Sequence, residues 1–214
     1  MIVVFGGTFD PIHQGHLALI EQAMTVVKPD QLLLVPCFQP VHKQHSDTGS
    51  QHRLAMLDLA LQTLPDDMQQ RVKVDLREIN AQKPRYTVDT LTSMRQEIGA
   101  EEPLVFLMGA DSLQALDTWH QWHQLGELAH LLVYQRPGYD LNDAALPSTL
   151  ELWCKPRKAP PEKLFHQPAG LVSFLPGNLH NVSSSEFRQG KIPFSSLPVA
   201  ISNYIVKHGL YDNG

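Results

Sequence analysis

The sequence predicts an α/β protein built on a doubly wound parallel sheet with helices on both faces. Three observations carry this. Short apolar runs of strand length recur along the chain, at 2–5, 31–35, 104–108 and 131–134. Between them lie longer segments with an apolar residue every three or four positions, the period of a helix that buries one face. Every unusual polar stretch stands just after a strand, at 6–16, 37–45, 109–111 and 181–188. Strands and helices alternating at this rhythm imply right-handed crossovers and a parallel, Rossmann-like sheet. In such open sheets ligands bind beyond the carboxyl ends of the strands, at the topological switch point, so the four polar stretches are expected to converge on one crevice.

Taken in order, a strand at 2–5 opens into a glycine turn. Leu17, Ile20, Met24 and Val27 then mark a helix ended by Pro29. The strand at 31–35 stops at Pro36, and 37–50 reads as a loop. Leu54, Leu57, Leu61 and Leu64 form a second helical stripe, followed by a short strand at 72–76. Pro84-Arg85-Tyr86 leads into a third helix with Val88, Leu91, Met94 and Ile98 inward. The most apolar strand, 104–108, turns at Gly109-Ala110-Asp111 into a helix bearing Leu113, Leu116 and Trp119. The strand at 131–134 ends before Arg136-Pro137-Gly138. Residues 140–168 carry five prolines and little periodicity, and a helix over 146–153 followed by a loop is expected there. A strand at 171–175 and helices near Ser184 and Val199 close the chain. The expected organisation is one domain over 1–214, with an insertion or loop over 140–170 and a helical C-terminal part over 183–214.

At 214 residues the chain can bury a sizeable core, and 43% hydrophobic with 18% charged residues is ordinary globular composition. A net charge of −5 and a pI of about 6.1 argue against a broad nucleic-acid surface, while leaving room for a small positive pocket. Cys37 and Cys154 have no metal-ligand spacing. With no signal-like N-terminus and no apolar run of membrane length, the expected setting is reducing, cytoplasmic and without membrane contact. Oligomeric state is not legible.

The first turn reads Gly6-Gly7-Thr8-Phe9-Asp10-Pro11-Ile12-His13-Gln14-Gly15-His16. Strand, glycine turn and helix start together make a phosphate site: glycine lets the backbone approach an anion, and the unpaired N–H groups of the helix start point toward it. His13 and His16, three apart, share one face. There is no Gly-x-x-x-x-Gly-Lys-Ser/Thr and no Gly-x-Gly-x-x-Gly, so neither a P-loop nor a dehydrogenase fingerprint is present. The stretch instead resembles the signature of the HxGH nucleotidyltransferases. Val182-Ser183-Ser184-Ser185-Glu186-Phe187-Arg188 resembles that superfamily's second, Ser-Ser/Thr-x-x-Arg motif; alone, such serines read as an ordinary helix N-cap. Within the superfamily the chain is similar to bacterial nicotinate-nucleotide adenylyltransferases along nearly its whole length. That likeness is carried by Pro40-Val41-His42-Lys43, Arg85-Tyr86-Thr87, Gly109-Ala110-Asp111-Ser112-Leu113, Trp119, Arg136-Pro137-Gly138 and Gly209-Leu210-Tyr211. It departs from the pattern at Cys37, Val41 and His120.

The resemblance implies direct adenylyl transfer from ATP to nicotinate mononucleotide, giving deamido-NAD and pyrophosphate. It implies His13, His16 and Arg188 as the catalytic groups. Gly6, Gly7, Thr8, Phe9, Asp111, Ser183 and Ser184 complete the ATP contacts. Mg²⁺ is implied as a bridge between phosphate oxygens, with no protein ligand assigned. For the mononucleotide it implies His42, Lys43, Tyr86, Thr87, Asp111 and Trp119. On the residues alone Asp111 serves equally as an N-cap, and Trp119 as core packing. The rival readings are another superfamily member, of phosphopantetheine adenylyltransferase or cytidylyltransferase type, and a nucleotide-binding domain without turnover.

Overall fold

The computed structural model describes residues 1–39, 48–134, 146–175 and 182–211. Six strands form one parallel sheet: β1 (Ile2–Gly7), β2 (Gln31–Pro36), β3 (Val72–Val74), β4 (Leu104–Gly109), β5 (His130–Tyr134) and β6 (Val172–Leu175). Their order is β3-β2-β1-β4-β5-β6. The chain winds one way from β1 to β3 and the other way from β4 to β6, so the switch point falls between β1 and β4. Alternate strand residues serve opposite faces. Val3, Phe5, Val105 and Leu107 join one core, while Val4, Leu104, Phe106 and Met108 join the other. Both faces are covered, which is why the strands read as continuous apolar runs.

Ten helices accompany the strands among the described residues: α1 (Gln14–Val26), α2 (Ser50–Leu61), α3 (Asp66–Gln69), α4 (Arg77–Asn80), α5 (Thr87–Ile98), α6 (Ala110–Gln114), α7 (Leu125–Leu128), α8 (Ser148–Cys154), α9 (Ser184–Arg188) and α10 (Val199–His208). Leu17, Ile20 and Met24 of α1, with Ile201 and Ile205 of α10, cover the first face. Val88, Leu91 and Met94 of α5, with Leu113 and Leu150, cover the second. None of the described helices is long and apolar enough to cross a membrane.

Three expectations require correction. The strand at 72–76 ends at Val74, because Asp75 Oδ1 accepts from the backbone N–H of Arg77 at 2.9 Å and starts a helical turn. The α2 stripe is rotated: Arg53, Met56, Leu57 and Ala60 are its buried residues, whereas Leu54 and Leu61 are half-buried and Leu64 lies beyond its end. No continuous helix carries Leu113, Leu116 and Trp119. Helix α6 stops at Gln114, Leu116–Thr118 is a 3₁₀ turn, and Trp119 is extended at φ −79°, ψ 146°. The spacing of those three residues is three and three, the period of a 3₁₀ helix rather than of an α-helix.

Candidate active site

The glycine turn is shaped by packing around one ring. Phe9, 2% exposed, lies edge-on to Phe5 at 5.4 Å and to His16 at 5.2 Å. A Cβ at Gly7 would stand 3.0 Å from the end of the buried Phe9 ring, so a larger residue there would have to push the ring aside by a few tenths of an ångström. Phe9 itself takes a left-handed φ of 50°, which a bulky residue adopts only where its surroundings fix it. Beyond it His13 caps α1 reciprocally with His16. The His16 N–H donates to His13 Nδ1 at 3.3 Å, and the His13 N–H donates to His16 Nδ1 at 3.2 Å. The rings stack at 3.7 Å. A ring nitrogen that accepts carries no proton, so each neutral imidazole holds its proton on Nε2 and presents it as a donor. This capping box thus fixes the same tautomer on both neutral rings.

Two open cavities, of about 170 and 210 Å³, adjoin this turn. The first is lined by the glycine turn, His13, His16, Asp111, Tyr134 and the serine segment with Arg188. The second is lined by Val35, Cys37, Glu78, Arg85, Tyr86, Thr87, Thr90 and His120. Gly6, Gly7, Thr8, Phe106 and Trp119 belong to both and form the wall between them. Trp119 stands edge-on to Phe106 at 6.2 Å, and Tyr86 faces His120 at 4.5 Å on the rim of the second cavity. Helix α5 starts there, and Asp89 in its first turn accepts from the Tyr86 N–H at 3.3 Å. Glu78 accepts from the Thr90 hydroxyl at 2.6 Å, and burial raises its pKa above the usual carboxyl range.

A buried arginine holds the two cavities in register. Arg53, 2% exposed, donates Nη1 to the Thr8 carbonyl at 2.7 Å. Its Nη2 donates to the Cys37 and Phe38 carbonyls at 2.8 and 3.0 Å. The guanidinium therefore ties the β1 turn to the exit of β2.

Residues 4–190 match the model of the cytidylyltransferase-like family. A protein of Herminiimonas arsenicoxydans named probable nicotinate-nucleotide adenylyltransferase is 36% identical over 98% of this chain and 96% of its own. One of the same name from Cellvibrio japonicus is 38% identical over 97% of both. The chain belongs to the nicotinate-nucleotide adenylyltransferase family. The fold agrees with that of a Plasmodium falciparum nicotinic acid mononucleotide adenylyltransferase complexed with NaAD, at a TM-score of 0.74 and 19% identity over 100% of this chain and 98% of that one.

The family motifs can now be placed. His13, His16, Gly6, Gly7, Thr8, Phe9, Asp111, Ser183, Ser184 and Arg188 all line the first cavity. Tyr86, Thr87 and Trp119 line the second. Asp111 lines the first alone. It sits in the first turn of α6, whose N-cap is Gly109, so it is not the cap. Ser183 caps α9 by position without a side-chain bond, and Ser184 Oγ instead donates to the Pro11 carbonyl at 3.0 Å. His42, Lys43 and Arg136-Pro137-Gly138 lie outside the described residues. Sequence reasoning missed Arg53, Glu78 and the partners of Asp10. The one available signal for Arg53 was a cation inside an apolar helical stripe.

Proposed function

We propose that the chain transfers the adenylyl group of ATP to the 5′-phosphate of nicotinate mononucleotide, yielding deamido-NAD and pyrophosphate. The observation that carries this is the pair of cavities sharing one wall: a cleft lined by two imidazoles, the serine segment and an arginine beside an aromatic one. In the first, ATP would lie over the glycine turn. The Nε2–H donors of His13 and His16 would meet the phosphates, with His16 nearest the α-phosphate, and Ser183, Ser184 and Arg188 would take the β- and γ-phosphates. Asp111 would accept from ribose hydroxyls. In the second, Trp119 and Tyr86 offer flat faces to the pyridine ring. Thr87 brings the positive end of α5 to its carboxylate. His42 and Lys43 would meet the mononucleotide phosphate.

A mononucleotide phosphate oxygen attacks the α-phosphorus, the bond to the α–β bridging oxygen breaks, and pyrophosphate leaves with the electron pair. The residues bind, align and stabilise charge, most of it developing on phosphate oxygens. Mg²⁺ would neutralise part of that charge. The ion would be held through phosphate oxygens and water, the usual way Mg²⁺ is bound beside a nucleotide. The unpaired thiols of Cys37 and Cys154 suit a reducing, cytoplasmic setting. The test is pyrophosphate release from ATP and Mg²⁺ with nicotinate or nicotinamide mononucleotide. Turnover with the acid form ahead of the amide is expected, and silence with both would overturn the reading.

A further inference from the structure

The two halves of the first cavity are joined by a residue that belongs to neither motif. Tyr211, three residues past the end of α10, donates its hydroxyl to Asp10 Oδ1 at 2.6 Å. Asp10 is 1% exposed and lies inside the glycine turn. Its backbone carbonyl accepts from Arg188 Nη1, and its Oδ2 lies 3.6 Å from that nitrogen. The Tyr211 ring packs edge-on against Phe187, the neighbour of Arg188, at 5.7 Å. Tyr211 has a left-handed φ of 64°, again a conformation held by its surroundings rather than by preference. Burial, and then the adjacent Asp10, push the phenol pKa up, so the hydroxyl remains a donor.

We propose that Tyr211 and Asp10 form a clasp that sets the Arg188 guanidinium for the triphosphate, with Tyr211 as a positioning residue. A five-residue helix leaves a long arginine side chain many rotamers, and ordering it on ligand arrival would weaken binding. The clasp orders it beforehand. Tyr211 anchors the Asp10 carboxyl group from behind, so that group cannot swing out after the guanidinium. The Asp10 carbonyl accepts from one nitrogen of Arg188 and the Asp10 carboxylate attracts the same nitrogen by charge from 3.6 Å, while a guanidinium has five N–H donors to distribute. The end of the chain thereby sets the geometry of a phosphate contact.

The inference rests on the adenylyl-transfer reading for the identity of the ligand, and direct binding separates the two. Tyr211→Phe keeps the ring on Phe187 and removes the hydroxyl. Its affinity for a non-hydrolysable ATP analogue with Mg²⁺, measured by calorimetry, is expected to fall about tenfold, the size of one charge-assisted hydrogen bond. The KM for the mononucleotide should stay within about twofold. In an Arg188→Ala background the same change should cost less than about twofold, because the clasp acts through Arg188. Asp10→Asn, nearly isosteric, should reproduce the selective loss and serves if Tyr211→Phe does not fold. Unchanged analogue affinity in both variants, or losses that add fully to Arg188→Ala, would overturn the clasp. Wild-type chain that binds the analogue yet releases no pyrophosphate would overturn the transfer reading alone.

Discussion

Two imidazoles three residues apart could have been a core pair, and what makes them donors is the hydrogen bond each makes on its other nitrogen. Each Nδ1 is occupied by the partner's backbone N–H, so in the neutral ring the proton sits on Nε2. Their three-residue spacing predicts the shared face, but the tautomer needed the reciprocal cap. Asp111 shows the same dependence on a neighbour. Its Oδ1 folds back over Gly109, and a Cβ there would stand 2.2 Å from that oxygen and 3.3 Å from the Tyr134 hydroxyl. Gly109 has φ −78°, which alanine adopts without strain, so the tip of the aspartate has to move and the Tyr134 hydroxyl has to give by a few tenths of an ångström. Gly109→Ala is therefore expected to cost less than about 1 kcal/mol of stability. If Asp111 holds a ribose hydroxyl, the same variant should raise the KM for ATP about tenfold, the loss of roughly one hydrogen bond to a charged group. Steady-state kinetics alongside a melting curve checks both; a destabilised chain with unchanged KM would remove Asp111 from the nucleotide site.

At the scale of elements, some residues are placed by what they bond rather than by apolar period, and these were the illegible ones. Arg53 turns α2 so that its guanidinium reaches three carbonyls, and the leucine stripe alone could not foretell that rotation. His130 opens β5 fully buried, one residue ahead of the apolar run at 131–134. Its Nε2 bonds the Gln167 carbonyl at 2.8 Å and its Nδ1 accepts from the Leu171 N–H at 3.0 Å, tying β5 to the segment that enters β6. By contrast β1, β2, β4 and β5 were visible as apolar runs because both of their faces are buried. Burial lowers the His130 pKa below 6.5. The unfolded chain then takes up a proton below pH 6.5 that the folded chain refuses, so this stabilisation is whole above 6.5 and is lost as pH falls. His130→Gln lacks that titration. The melting-temperature gap between wild type and His130→Gln should accordingly narrow between pH 7.5 and 5.5, and a constant gap would mean the imidazole stays neutral in both states.

For the whole molecule, the decisive fact is that the sheet reverses its winding between β1 and β4, which puts one wall between two ligand spaces. The first space opens over β1, β4 and β5 and the second over β1, β2 and α5, so two substrates can meet across Gly6-Gly7-Thr8 without sharing a pocket. Convergence on the strand ends was legible from the positions of the polar stretches; division into two spaces was not, because it depends on where Trp119 goes. Had residues 110–119 formed one helix, its side chain would have continued the stripe of Leu113 and Leu116, both fully buried in the second core. The breaks after Gln114 and Thr118 instead carry Trp119 to the dividing wall. Both sites should therefore feel its loss, but unequally, since ring stacking concerns only the acceptor. Trp119→Ala is expected to raise the mononucleotide KM by tenfold or more, in line with about 1–3 kcal/mol for a lost aromatic stack and its burial. The KM for ATP should rise only about twofold to threefold, from a loosened wall rather than a lost partner. Initial rates over a grid of both substrate concentrations separate the two constants, and equal increases would make Trp119 a scaffold of the wall rather than a face for the ring.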